Sequence, residues 1–164
     1  VRIREARPEE FAEAGAVTAL AYREFVVPGD VGWEDYLDRI ADVASRARSA
    51  TVLVAEEDGR ILGSATLELD GRIDEEDGPL GSDEAHLRML GVHPDWRGRG
   101  VARALMDASF DLARAAGRTR MTLHTTPRMR AAQRMYESMG FSRRPDRVFP
   151  DGFVLLSYEK SIIA

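Results

Sequence analysis

Leu90-Gly91-Val92-His93-Pro94-Asp95-Trp96-Arg97-Gly98-Arg99-Gly100-Val101-Ala102-Arg103-Ala104-Leu105 is the stretch on which the fold turns. An apolar run ends, Pro94 turns the chain, and Arg-Gly-Arg-Gly leads into a helical pattern. A glycine-rich loop at a helix start offers N–H groups that lack an intrahelical acceptor, together with the positive end of the helix dipole. Its glycines let the backbone approach an anion closely. Arg97, Arg99 and Arg103 add positive charge, so the segment reads as a pyrophosphate cradle. Two other phosphate motifs do not fit. A P-loop needs a lysine that is missing here, and the dinucleotide fingerprint needs glycine where Arg103 stands.

Upstream, Val1–Glu5 alternates like a short strand. Pro8 then opens a helical stripe through Phe11, Ala14, Ala21, Tyr22 and Phe25 to about residue 26, where Pro28-Gly29-Asp30 breaks it. Trp33, Tyr36, Leu37, Ile40, Val43 and Ala44 recur at three and four residues, predicting a second helix. Thr51–Ala55 and Ile61–Leu69 read as strands joined around Asp58-Gly59, a hairpin signal. Residues 70 to 83 read as a long acidic loop, and Leu87–Val92 as the strand before Pro94.

Downstream, the spacing predicts a helix from about Gly100 to Ala116, a strand over Arg120–Thr125, and a helix capped by Thr126-Pro127 and closed by Gly140. Two final strands follow over Phe141–Arg144 and Gly152–Glu159. The order is one strand, two helices, three strands, helix, strand, helix and two strands. That is an α/β layered domain with a mixed sheet.

The 164 residues suit a single domain with a full core. With 44% hydrophobic and 31% charged residues the chain is globular. The formal net charge is −5, but residues 70 to 84 hold seven acids against Arg72 alone, which leaves the rest of the chain at +1. That balance argues against nucleic-acid binding and leaves room for a local anion site. The chain has no cysteine, which excludes disulfides, thiolate metal sites and a cysteine nucleophile. Its three histidines lack metal-ligand spacing, so no metal is expected. No apolar run spans a bilayer, and no signal-peptide pattern is present, so a soluble cytoplasmic protein with no membrane partner is expected.

The loop Arg97-Gly98-Arg99-Gly100-Val101-Ala102, with Leu90-x-Val92-x-Pro94 before it, resembles the GCN5-related N-acetyltransferase family, whose loop reads Gln/Arg-x-x-Gly-x-Gly/Ala. A second stretch, Ala131-Ala132-Gln133-Arg134-Met135-Tyr136-Glu137-Ser138-Met139-Gly140-Phe141, is similar to the family's Ala-x-x-x-Tyr-x-x-x-Gly-Phe helix. The resemblance covers nearly the whole chain. It implies a mixed, mostly antiparallel sheet of about seven strands flanked by four helices.

The resemblance also implies acetyl-CoA as donor. Its pantetheine arm would pair with the strand edge at Leu90, Gly91 and Val92. Its pyrophosphate would sit on the N–H groups of Arg97, Gly98, Arg99, Gly100, Val101 and Ala102, with Arg103 on the next turn. A main-chain N–H near Leu90 would polarise the thioester carbonyl. Tyr136 matches the family's general acid; it also lies on the apolar stripe of its helix, a core position whose hydroxyl end would do the chemistry.

The base is not carried by a motif. Glu84, just ahead of the strand, is the first candidate; His86 and His124 are the alternatives, and His93 reads as turn structure. The acceptor pocket is expected from Phe25, Trp33, Tyr36, His124 and Phe149 in the Arg147–Asp151 turn. A small-molecule amine is the expected substrate, and a homodimer is in keeping with the resemblance. The acidic segment would attract a cationic amine if it flanked the channel. The alternative function is a non-catalytic acyl-CoA-binding sensor that keeps the loop without a base.

Overall fold

Alternation along the second strand sets the layers. Val52 and Val54 pack with Ala14, Val43 and Ile61, whereas Leu53 and Ala55 pack with Leu62, Leu105 and Phe110 on the opposite face. Both faces of the sheet are therefore covered by helices, and its central strands read as nearly continuous apolar runs. The structure, a computed structural model, describes residues 1–27, 32–73 and 78–163.

The elements run β1 (Arg2–Glu5), α1 (Phe11–Arg23), α2 (Trp33–Ala41), α3 (Val43–Arg46), β2 (Thr51–Glu57), β3 (Arg60–Glu68), β4 (Glu84–Val92), α4 (Val101–Ala115), β5 (Arg120–Thr125), α5 (Arg130–Ser138), β6 (Ser142–Val148) and β7 (Val154–Ser161). The seven strands lie in the order β1-β2-β3-β4-β5-β7-β6. Every described pairing is antiparallel except β4 with β5. The expected mixed, mostly antiparallel sheet is present. No described helix is long and apolar enough to cross a membrane.

Several boundaries differ from the sequence reading; β6 runs to Val148 rather than Arg144, so Arg147 lies in the strand and not in the turn. Pro8–Glu10 forms a short 3-10 turn, and α1 begins only at Phe11. The second helix breaks at Asp42 (φ −85°, ψ 68°), whose carboxylate accepts from Ser45 N and Ser45 Oγ and so starts the four-residue α3. A short polar side chain bonding its own backbone competes with helix continuation. That adds a fifth α-helix to the expected four. Thr126-Pro127 forms a turn rather than a cap, with Met129 N donating to Thr126 O (3.1 Å), and α5 begins at Arg130. Finally, β4 begins at Glu84, three residues earlier than its apolar run. The expected break at Pro28-Gly29-Asp30 lies outside the described residues, as do Asp74 to Asp77 of the acidic loop.

Helix α1 crosses α2 at close range because residue 15 is glycine. A Cβ there would stand 2.0 Å from the Ala41 carbonyl oxygen and 2.8 Å from its carbon. The obstacle is backbone, so the helices must part. Gly15→Ala is expected to cost about 3 kcal/mol, outweighing the roughly 1 kcal/mol of helix propensity it adds. Urea denaturation measures it; an unchanged midpoint would show that α2 slides freely on α1.

Candidate active site

Strand β4 pairs with β5 only from Glu84 to Leu87, ending at the Leu87–Leu123 partners. Its register with β3 jumps between Ser64↔Gly91 and Thr66↔Arg88, so Met89 and Leu90 together oppose one residue of β3. Met89 has φ 51°, a left-handed value for a non-glycine residue. This is a β-bulge, which bends the strand. Beyond it, the edge at Leu90, Gly91 and Val92 has no β5 partner, and the sheet opens.

Two cavities meet at that opening. The larger, about 730 Å³, is lined by Leu90, Gly91 and Val92, the following loop, the start of α4, and Tyr136 of α5. The smaller, about 380 Å³, lies over His86–Met89 between α2 and the β6–β7 turn. Tyr22, His124, Thr125 and Met129 line both.

The larger cavity fits an extended ligand with an anionic end. Gly98 and Gly100 have φ values of 74° and 80°, and a Cβ at either would meet nothing within 4 Å. Gly100 caps α4 without any side-chain hydrogen bond. The first intrahelical donor is Ala104 N to Gly100 O (3.0 Å), so the N–H groups of Val101, Ala102 and Arg103 have no acceptor in the helix.

The arginines of the loop do less than their charge promised. Arg97 ion-pairs with Glu24 and donates to Ala21 O (3.2 Å), tying the loop to α1. Arg103 donates to Ser138 Oγ (3.1 Å) on α5. The Arg99 guanidinium lies 4.7 Å over the Trp96 ring and does not line the cavity, which leaves its main-chain N–H as what it could offer an anion. Arg128 and Arg130, which the sequence reading passed over, do line it.

Tyr136 is 5% exposed, edge-on to Phe141 (5.8 Å) and 6.0 Å from Tyr158. It is at once a core residue and a cavity residue. Burial and the neighbouring Tyr158 push its phenol well above the ordinary tyrosine value, and no hydrogen bond among the described residues engages it. A buried tyrosine hydroxyl normally finds a partner. Tyr22, at the junction, is likewise held protonated by burial, then by Tyr36 and Tyr136 nearby. In sequence Tyr22 shows only as one residue of the apolar stripe of α1.

Glu84 is not at the opening. It is 6% exposed at the far end of β4 and lines neither cavity. The parallel register sets it opposite Arg120 and sets His86 opposite Thr122. Its Oε1 accepts from Gly81 N (3.0 Å) and Arg120 Nη2 (3.4 Å); its Oε2 accepts from Arg72 Nη2 (3.4 Å) and the Thr122 hydroxyl. Glu84, the first candidate for the base, acting directly or through water, thus has its carboxylate engaged in an ion network away from both cavities.

His86 is 2% exposed, lines the smaller cavity, and has Nδ1 2.7 Å from Thr122 Oγ1. A carboxylate only accepts, so the Thr122 proton goes to Glu84, and Thr122 Oγ1 must then accept from His86 Nδ1–H. That fixes the tautomer and leaves Nε2 with its lone pair. Burial first, then the positive field of His124, Arg72 and Arg88, holds His86 well below the ordinary histidine value. His124, with Nδ1 3.0 Å from Ser157 Oγ, sits 5.1 Å from it ring to ring.

Of the expected acceptor residues, Trp33, Tyr36, His124 and Phe149 line the smaller cavity; Phe25 lines the larger one instead. Among the described residues no cluster of three histidine or acidic side chains could hold a metal ion.

Known proteins share this fold. The profile of the acetyltransferase (GNAT) family matches residues 15–141. Mycothiol acetyltransferase of Thermobispora bispora is 31% identical over 144 residues, 87% of this chain and 47% of that protein. N-acetyltransferase 8 of Rattus norvegicus is 30% identical over 119 residues, 68% of this chain and 51% of that one. The chain thus spans about half the length of these two relatives.

Among solved structures, a GNAT-family protein of Desulfovibrio desulfuricans has a TM-score of 0.79 at 18% identity and covers 99% of both chains. A Salmonella typhimurium protein solved with its cofactor acetyl-CoA has a TM-score of 0.69 at 22% identity, over 99% of this chain and 94% of that one. At these identities the likeness is one of fold. With the opened β4, the uncapped loop at α4 and a family profile running from α1 to Phe141, the chain belongs to the acetyltransferase (GNAT) family.

Proposed function

We propose that residues 1–164 act as one N-acetyltransferase domain that moves the acetyl group of acetyl-CoA to the primary amine of a small molecule, with donor and acceptor bound together. The observation that carries this reading is the meeting of the two cavities at the open end of β4, with Tyr136 on one side and His86 and His124 on the other. Family membership and the acetyl-CoA-bound neighbour support the choice of donor.

When bound, the donor supplies an activated thioester. The edge at Leu90–Val92 would hold its amide arm, and the N–H groups from Arg97 through Ala102 would hold its pyrophosphate. The Leu90 N–H, beside the bulge, would stabilise the negative charge that develops on the carbonyl oxygen. His86 Nε2 takes one proton from the acceptor ammonium, and the freed nitrogen forms the new N–C bond. As the C–S bond breaks, Tyr136 would give its proton to sulfur, and the nitrogen would pass its second proton, through water, to the Tyr136 phenolate so formed. The chain offers no cysteine for an acetyl-enzyme, which favours direct transfer.

The test is free-thiol release from acetyl-CoA against a panel of amines, amino acids, polyamines and aminoglycosides. Steady release with one class is expected. Tight acetyl-CoA binding by calorimetry with no thiol release from any of them would favour the acyl-CoA sensor instead.

A further inference from the structure

Each turnover of the proposed reaction leaves one proton on the enzyme. The ammonium gives one proton to His86, and the nitrogen's second goes to Tyr136, which has given its own to sulfur. The surplus therefore sits on His86 Nε2. It must leave before a further ammonium can be deprotonated. His86 is poorly placed to shed it, because its ring is 2% exposed and lines only the smaller cavity, where the acceptor would cover it.

Few neighbours can take that proton. The charges that act on His86 are those of His124, Arg72 and Arg88, and a guanidinium accepts nothing. The way through Thr122 to Glu84 is closed. A carboxylate has about four acceptor positions, and four donors already meet this one: Gly81 N, Arg120 Nη2, Arg72 Nη2 and the Thr122 hydroxyl.

His124 is differently placed. Thr122 and His124 are two residues apart on β5 and so share a face of the strand. Thr122 holds His86, and β5 loses its β4 partner after Leu123, so His124 stands at the opening. Its ring lies 5.1 Å from that of His86, tilted by 54°. Ser157 Oγ on β7 engages its Nδ1 (3.0 Å), so exchange with His86 falls to Nε2. His124 is only half-buried, and it lines both cavities, whereas His86 lines one and Tyr136 the other.

We propose that His124 carries the proton from His86 to solvent after each acetyl transfer, through whichever cavity is open. This rests on the acetyl-transfer reading with His86 as its base. The Nε2–H bond of His86 breaks as an N–H bond forms on His124, directly or over one water, and His124 then gives a proton to solvent. The positive charge of His124 disfavours a proton on His86, so the pair holds one proton more readily than two.

The experiment separates the first turnover from those that follow, using the amine that releases most thiol in the panel above. With His124→Gln in excess over acetyl-CoA, a single round of transfer is expected within about two-fold of native, because His86 begins neutral. Steady-state kcat in dilute buffer is expected to fall about ten-fold. Added imidazole is expected to restore it, and thiazole, a ring of the same size and far weaker basicity, is not. An unchanged kcat overturns the proposal. So does an equal loss in the single round, which would put His124 in the chemistry itself, and so does rescue by thiazole, since filling the space would then suffice. His124→Asn gives the same comparison if His124→Gln does not fold.

Nitrogen NMR of the free protein reads the relay without any acetyl transfer. Midway through the His86 titration, exchange between its protonated and neutral forms is expected about ten-fold slower in His124→Gln than in native protein. If native protein releases no thiol with any amine, the acetyl-transfer reading fails, and this rate still decides whether His124 relays the His86 proton: slower exchange sustains the relay, and an equal rate overturns it.

Discussion

Tyr136→Phe is expected to lower kcat about 100- to 1000-fold near neutral pH while leaving the affinity for acetyl-CoA within a few-fold. The substitution removes one oxygen. The ring keeps its edge contact with Phe141 and its place beside Tyr158, so the melting temperature should barely move. On the proposed mechanism only the proton for the departing sulfur is lost. Because burial holds this phenol above the ordinary tyrosine value of 10.0, the donor stays protonated throughout the working range. The native enzyme should therefore show no alkaline decline assignable to Tyr136 below pH 10, and adding general acids to the buffer should partly restore the variant. An unchanged kcat would remove Tyr136 from the chemistry. It would turn attention to Tyr22, the other phenol at the junction, and Tyr22→Phe would then carry the loss.

What the chain announces locally and what it hides separate cleanly along physical lines. The cradle at Arg97–Ala102 and the helix bearing Tyr136 are local patterns, a turn with a helix start and an apolar stripe, so they are readable before any fold is known. The bulge is not. Nothing about methionine predicts a φ of 51°, and Met89 adopts it because the pairing on either side forces two residues against one. The helix starts at Phe11 and Arg130 are not legible locally, because proline and threonine serve turns as readily as caps.

Residue charge was the least transferable signal. Arg97 and Arg103 sit in the motif but spend their guanidinium groups on α1 and α5, whereas Arg39, Arg88 and Arg147 carry no motif and share a cavity. Glu84 shows the same limit. Its role depends on a parallel register that puts Arg120 and Thr122 beside it, and that register is a property of β4 against β5, not of either strand alone.

That register also supplies the sharpest test of the base. His86→Gln is expected to reduce kcat/KM about 100-fold at pH 7.5, because a glutamine cannot take the acceptor's proton. In the native enzyme, activity should fall only as the pH drops through the depressed value of His86, below the ordinary 6.5, and the variant should lose that acid limb. Stability follows the same sign. The unfolded chain takes up this proton first, so stability is full above pH 6.5 and declines as the pH falls toward the folded value; His86→Gln should remove its share of that slope.

Glu84→Gln separates positioning from packing. Two donors, Gly81 N and Arg120 Nη2, meet Oε1 against Arg72 Nη2 alone at Oε2, so the amide oxygen takes the Oε1 place and the NH₂ turns to Thr122 and Arg72. Thr122 then gives its proton to His86 Nδ1, and Nε2 carries the hydrogen. A histidine in the wrong tautomer is no base, as when the orienting carboxylate of a catalytic triad becomes an amide. The expected result is a kcat down about 100-fold with KM nearly unchanged. The His86 ring nitrogens, followed by nitrogen NMR, should exchange their protonated position. A variant that merely loosened the sheet would lower the melting temperature and leave the tautomer alone. Full activity in Glu84→Gln, with the tautomer inverted, would move the base to His124 across the 5.1 Å between the two rings.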